Sequence, residues 1–140
     1  DSTVAGNRAQ QGGGIEFAFD ALGGSIVNTT ISNNSANGYG GGVLVVDGNL
    51  VIRNSTITGN HADSDGVGNE VGGGIDSNLD LITLHNTIVA GNTRGLSTSP
   101  SDVGNRVRTA SSFNLIGNQT SRGGLTNGVN GNIVGVNGTG

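Results

Sequence analysis

The chain has 140 residues, a formal charge of −4, 32% hydrophobic and 3% aromatic residues, and no cysteine. That is too little apolar bulk for a conventional globular core, which leaves disorder or a fold packed by small residues and backbone pairing. Scattered arginines and scarce aromatics argue against a nucleic-acid partner, no apolar run is long enough to span a membrane as a helix, and thiolate chemistry is excluded.

From the N-terminus, the phrase Thr3-Val4-Ala5-Gly6-Asn7 is followed by related phrases ending at Asn34, Asn60, Asn92 and Asn118. The asparagines lie 27, 26, 32 and 26 residues apart. A recurrence in this range is the mark of a solenoid, in which one repeat cannot bury its apolar face alone and stacks on the next. Between the phrases stand Gly12-Gly13-Gly14, Gly40-Gly41-Gly42 and Gly72-Gly73-Gly74. After the first two triplets, Ile15/Phe17/Phe19 and Val43/Val45 are apolar at alternate positions, and Ile26, Ile52 and Leu84 stand two residues before Asn28, Asn54 and Asn86, with Leu50 and Ile82 two residues earlier again. Alternation bounded by Gly, Asn and Ser predicts short strands with one buried face, two or three per repeat. Residues 61–73 read as an inserted loop, because the stretch from Asn60 to Gly74 is longer than its counterparts. Residues 119–140 read as a degenerate last turn or a C-terminal tail, with a weak strand signal at Asn132–Val136.

Strands laid over their counterparts in successive repeats give parallel sheets, hence an all-β parallel β-helix of about five turns in one domain, residues 1–140. The asparagines have a physical task in such a stack. They tolerate the left-handed backbone region, and copies at strand spacing pass amide hydrogen bonds from one to the next. The predicted ladder is Asn7, Asn34, Asn60, Asn92 and Asn118.

Candidate sites follow from the same register. Asp63, Asp65, Asn69 and Glu70 place oxygen ligands around a glycine in the inserted loop, the donor chemistry of a Ca²⁺ site, though without the full spacing of a calcium-loop motif. No other cofactor is expected. Glu16 and Asp76 fall in one outward column with Leu44 between them, two strand spacings or about 9.6 Å apart, the outer limit for carboxylates acting on one bond. His85 shares a column with Val27 and Arg53, and His61 with Ser35 and Thr93, so spacing identifies a catalytic partner for neither. Leu44 and Val46 are expected to face outward as a small apolar spot for lateral contact.

Two of the repeat phrases, Asn28-Thr29-Thr30-Ile31-Ser32-Asn33-Asn34-Ser35-Ala36 and Asn54-Ser55-Thr56-Ile57-Thr58-Gly59-Asn60-His61-Ala62, resemble those of secreted bacterial β-helix repeat proteins. The C-terminal third, with Asn86 to Thr93, Asp102-Val103 and Phe113-Asn114-Leu115-Ile116-Gly117, is similar to the choice-of-anchor Q class within that group and to polymorphic outer membrane protein repeats; phenylalanine stands where that class has tyrosine. The resemblance implies a right-handed coil of the pectin-lyase-like kind and an extracellular or bacterial cell-surface location. It implies little about activity, since the fold hosts lyases and adhesins alike; the residues themselves are read as a non-catalytic structural or adhesive element, with a host or surface glycan as the ligand to expect and a carbohydrate-active lyase or hydrolase as the alternative. Asp1 stands where other repeats have Asn28, Asn54 or Asn86, so the ladder is expected to continue in a longer chain or by head-to-tail stacking into a filament.

Overall fold

The computed structural model describes residues 1–18, 22–77 and 81–135. Phe19 and the end of the predicted strand at Val136 lie outside the described residues. The described chain is all-β, with two short 3₁₀ turns at Gln119–Ser121 and Val129–Gly131 and no α-helix. Its strands are β1 (Ser2–Ala5), β2 (Arg8–Ala9), β3 (Ile15–Phe17), β4 (Gly24–Val27), β5 (Thr29–Ser32), β6 (Ser35–Ala36), β7 (Val43–Val45) and β8 (Leu50–Arg53). They continue as β9 (Thr56–Thr58), β10 (His61–Ala62), β11 (Ile75–Ser77), β12 (Ile82–His85), β13 (Ile88–Ala90), β14 (Thr93–Arg94), β15 (Ser99–Pro100), β16 (Leu115–Ile116) and β17 (Ile133–Val134).

The sheets are stacked from successive repeats, in the orders β1-β5-β9-β13-β16-β17, β2-β6-β10-β14-β15, β3-β7-β11 and β4-β8-β12, with β15 added as the return arm of a hairpin from β14. Each of the first three repeats therefore holds four strands among the described residues, where the alternation alone predicted two or three. The extra one is the two-residue strand after each ladder asparagine, too short to show a period. All pairings are parallel except β14 with β15, which is antiparallel. That exception places Pro100 on the outermost strand of its sheet, and a residue without an N–H blunts an edge against further pairing.

Register carries the core. Val4, Ile31, Ile57, Val89, Ile116 and Val134 pair in succession through the longest sheet. Ile26, Ile52 and Leu84 form a second column, and Ile15, Val43, Ile75 and Val103 a third. All three columns join one apolar cluster. Burial at about 25 cal/mol per Å² of apolar surface is concentrated in these aliphatic stripes, so few large side chains suffice.

The backbone at the corners is left-handed where the sequence places asparagine or glycine. Asn28, Asn54 and Asn86 have φ of 51°, 50° and 48°. The glycine triplets have a different constraint. A Cβ at Gly42 would lie 2.5 Å from the Gly74 carbonyl oxygen and 3.0 Å from Asn60 Nδ2, and one at Gly74 would lie 2.7 Å from Asn92 Nδ2. The two sequence markers, separate along the chain, are thus in contact: the last glycine of each triplet makes room for the ladder asparagine that follows it.

Candidate functional site

The ladder is built from amides that are buried at Asn34, Asn60 and Asn92. Asn7 donates its backbone N–H (3.0 Å) and its Nδ2 (2.9 Å) to Asn34 Oδ1, Asn34 does the same to Asn60 Oδ1, and Asn60 to Asn92 Oδ1. Each inner Nδ2 spends its second hydrogen on a strand carbonyl, from Asn34 to Val4, Asn60 to Ile31 and Asn92 to Ile57. Asn118 does not take the next position. Asn92 donates instead to Asp102 Oδ1, at 3.0 Å from both its backbone N–H and Nδ2.

The reason is register. Leu115 pairs with Ile88 and Ile116 with Val89, so Asn118 falls opposite Gly91, one residue short of Asn92. A slip of one residue exchanges the two faces of a strand. Asn118 Oδ1 accepts instead from the backbone N–H and hydroxyl of Thr120, capping the 3₁₀ turn. Asp102 reaches the ladder because the β14–β15 hairpin returns the chain. Burial raises its carboxyl above the usual range, against hydrogen bonds from Asn92, Asn118 and Gly117 that favour the charged form.

A second inward column runs at the preceding corner. Thr29 and Thr87 are buried and donate their hydroxyls to the carbonyls of Val27 and His85, as Ser55 does to Arg53. The column continues through Asn114, which accepts from Thr87 N–H and donates to Asn132 Oδ1. Thr30, Thr56 and Thr58 point to the other face.

The remaining candidates separate. Glu16, Leu44 and Asp76 do share one register column. Glu16 is exposed, whereas Asp76 is 1% exposed and accepts from the backbone N–H and the Nδ2 of Asn105. Burial pushes the Asp76 carboxyl from 3.8 up to about 6. The two acids are not gathered on one open surface. Leu44 is also buried, at 4% exposure, and Val46 is half-buried, so the expected lateral apolar spot is absent. Gly40 lies against the Leu44 side chain, as Gly12 does against Glu16 and Gly72 against Asp76: the glycine turn folds over this column. His61 Nδ1 meets Thr93 Oγ1 at 2.8 Å and His85 Nδ1 meets Ser112 Oγ at 2.9 Å, both pairs linking neighbouring repeats.

In the loop after β10, Asp63 is buried with Oδ1 unpartnered, and Glu70 likewise holds a buried Oε2 without a partner. Asp65 is exposed and accepts from Val67 N–H, while the Arg94 guanidinium lies 3.4 and 3.5 Å from the Asn69 and Glu70 carbonyl oxygens. Among the described residues no three acidic, histidine or cysteine side chains gather as a metal-binding group. His61 and Ala62, within the expected loop, are strand β10.

No family model, curated protein or solved structure matches the chain. One surface feature spans the repeats. Two adjoining depressions of about 460 and 550 Å³ share Asn54 and Thr56 and together run from Ser2 to Ile133. One wall is the outward column of the longest sheet, Thr3, Thr30, Thr56, Ile88, Leu115 and Ile133, in continuous register. The opposite ledge is the left-handed corner, Asn28, Asn54 and Asn86, then Phe113 with φ of 56°. Asn86 Nδ2 donates to Asn54 Oδ1 at 2.9 Å along this ledge. Among the described residues the lining contains no lysine, arginine, histidine or glutamate, and Asp1 is its one carboxylate. It offers amides, hydroxyls and aliphatic surface, which suit binding. Alternation left the threonines of this face unassigned, and the register of residues 113–116 that completes it was hidden by the match at Asn118.

Proposed function

We propose that the four sheets are the walls of a right-handed, single-stranded parallel β-helix of about five turns, and that this coil is a non-catalytic structural and adhesive element outside a bacterial cell. The observation that carries the adhesive reading is the groove, charged only at Asp1, which crosses successive repeats and combines a hydroxyl and aliphatic wall with an amide ledge. An extended surface glycan is the ligand of matching shape and polarity. The resemblance of the repeat phrases to secreted β-helix proteins supports the location. The enzyme alternative draws no support from Glu16 and Asp76, one exposed and the other buried against Asn105.

Head-to-tail stacking into a filament is disfavoured at one sheet, which ends on Pro100 in β15. The test compares retention of the purified chain on insoluble cell-surface glycan with that of Thr56→Arg, in the groove, and Thr83→Arg, on a different sheet. Retention lost only in Thr56→Arg, without cleavage of the glycan, is the expected result. Equal retention of both variants removes the groove from the reading, and cleavage removes the non-catalytic assignment.

A further inference from the structure

Phe113 is out of place on grounds of stability. At its corner the three preceding repeats carry Asn28, Asn54 and Asn86, and the left-handed region that asparagine tolerates is unfavourable for a bulky side chain. The residue is also 70% exposed, so its ring gains little from burial. Its ring lies over Gly131, where a Cβ would come within 2.5 Å of Cδ1. A strained, solvent-facing aromatic in a chain with three phenylalanines and one tyrosine points to a use on the surface.

The surroundings specify that use. Phe113 lines the same depression as Asn54, Asn86, Ile88, Leu115 and Ile133. Ile88, Leu115 and Ile133 are 43%, 39% and 60% exposed, so the groove passes from a threonine wall to an aliphatic one as it reaches the aromatic. The ligand required has an apolar face for the ring and wall, hydroxyls or amides for the ledge, no charge, and an extended form. We propose that Phe113 is the stacking platform of a binding subsite for neutral β-linked glycans, with Asn54 and Asn86 as the hydrogen-bonding ledge. This rests on the reading of the groove as the adhesive face. A peptide strand is a poorer match, since β9, β13 and β16, which carry Thr56, Ile88 and Leu115 beneath the ledge, are already paired on both sides, and strand addition needs a free edge.

The experiment measures cellohexaose, chitohexaose and hexagalacturonate binding to the full chain by calorimetry, with Phe113→Asn and Phe113→Tyr, and follows urea unfolding of each variant. Phe113→Asn restores the residue found at the other corners, so it should raise the unfolding midpoint and yet weaken neutral hexasaccharide binding by up to about tenfold. Phe113→Tyr keeps the ring and should bind like the parent chain. Binding unchanged in Phe113→Asn, absence of binding to both neutral hexasaccharides, or tighter binding of hexagalacturonate would each overturn the subsite. Retention on cell-surface glycan that is sensitive to Thr56→Arg but indifferent to Phe113 would leave the adhesive reading standing without it. Cleavage of a hexasaccharide by the parent chain would remove the non-catalytic reading and leave the subsite in place.

Discussion

Asn60 is the member of the ladder whose loss should be felt most. Its Oδ1 accepts twice from Asn34, and its Nδ2 donates to the Ile31 carbonyl and to Asn92 Oδ1, all between 2.9 and 3.0 Å. Asn60→Ala deletes all four contacts from a site with 0% exposure. Asn34 Nδ2 keeps Val4, Asn92 Oδ1 keeps the Asn60 N–H, and the Ile31 carbonyl keeps its place in the β5–β9 ladder, so the group left without a partner is the Asn34 N–H. At about 1–3 kcal/mol for that buried group and about 1 kcal/mol for the other bonds lost, the expected cost is on the order of 2–4 kcal/mol. Asn7→Ala is the internal control: Asn7 is exposed and its side chain donates once, so its loss should cost no more than about 1 kcal/mol. Urea unfolding followed by circular dichroism in the β-sheet band measures both. An Asn60→Ala chain within about 1 kcal/mol of the parent, or an Asn7→Ala chain equally weakened, would refute the claim that buried amide pairing supports the stack.

Other outcomes follow from the same geometry. Asp76 holds its proton more tightly folded than unfolded, so its contribution is present at low pH and lost as the pH rises from 3.8 through about 6. Urea midpoints should therefore fall by up to about 3 kcal/mol-equivalent across that window, and Asp76→Asn should flatten much of the slope and be the more stable chain at neutral pH. Asp102, also raised by burial, leaves a residual slope. Gly42→Ala drives a Cβ into the Gly74 carbonyl and the Asn60 amide; a loss of about 1–3 kcal/mol is expected, measured by thermal unfolding. Leu44→Ala should cost about 2–5 kcal/mol in the same assay, whereas a solvent-facing contact residue would cost almost nothing.

The legible parts of this fold are those where chemistry and period coincide. Asparagine at Asn7, Asn34, Asn60 and Asn92 satisfies both the backbone and the amide ladder, so its recurrence located these rungs, of which Asn34, Asn60 and Asn92 are buried. Val27/Arg53/His85 and Ser35/His61/Thr93 align as the spacing required. What stayed hidden depended on the neighbouring repeat. Leu44 reads as outward by alternation, and it is outward from its strand, but the Gly40 turn folds over it, and a period of two carries no information about a second layer.

Asn118 shows the limit most sharply. The identity of one asparagine outweighed the apolar pair beside it, whereas the fold aligns Ile116 with Val89 and lets the asparagine slip. The ladder also has a direction, since each amide donates toward the later repeat. Its last acceptor needs no hydrogen of its own, and a buried carboxylate surrounded by the N–H groups of Asn92, Asn118 and Gly117 meets that requirement. Asp102 is therefore the chemical end of the asparagine series, in a residue type that a search for recurring asparagines passes over. The same slip that removes Asn118 from the ladder places Phe113 at the corner held by asparagine elsewhere. The irregularity at the core and the aromatic platform on the surface thus have one cause, the register of residues 113–116.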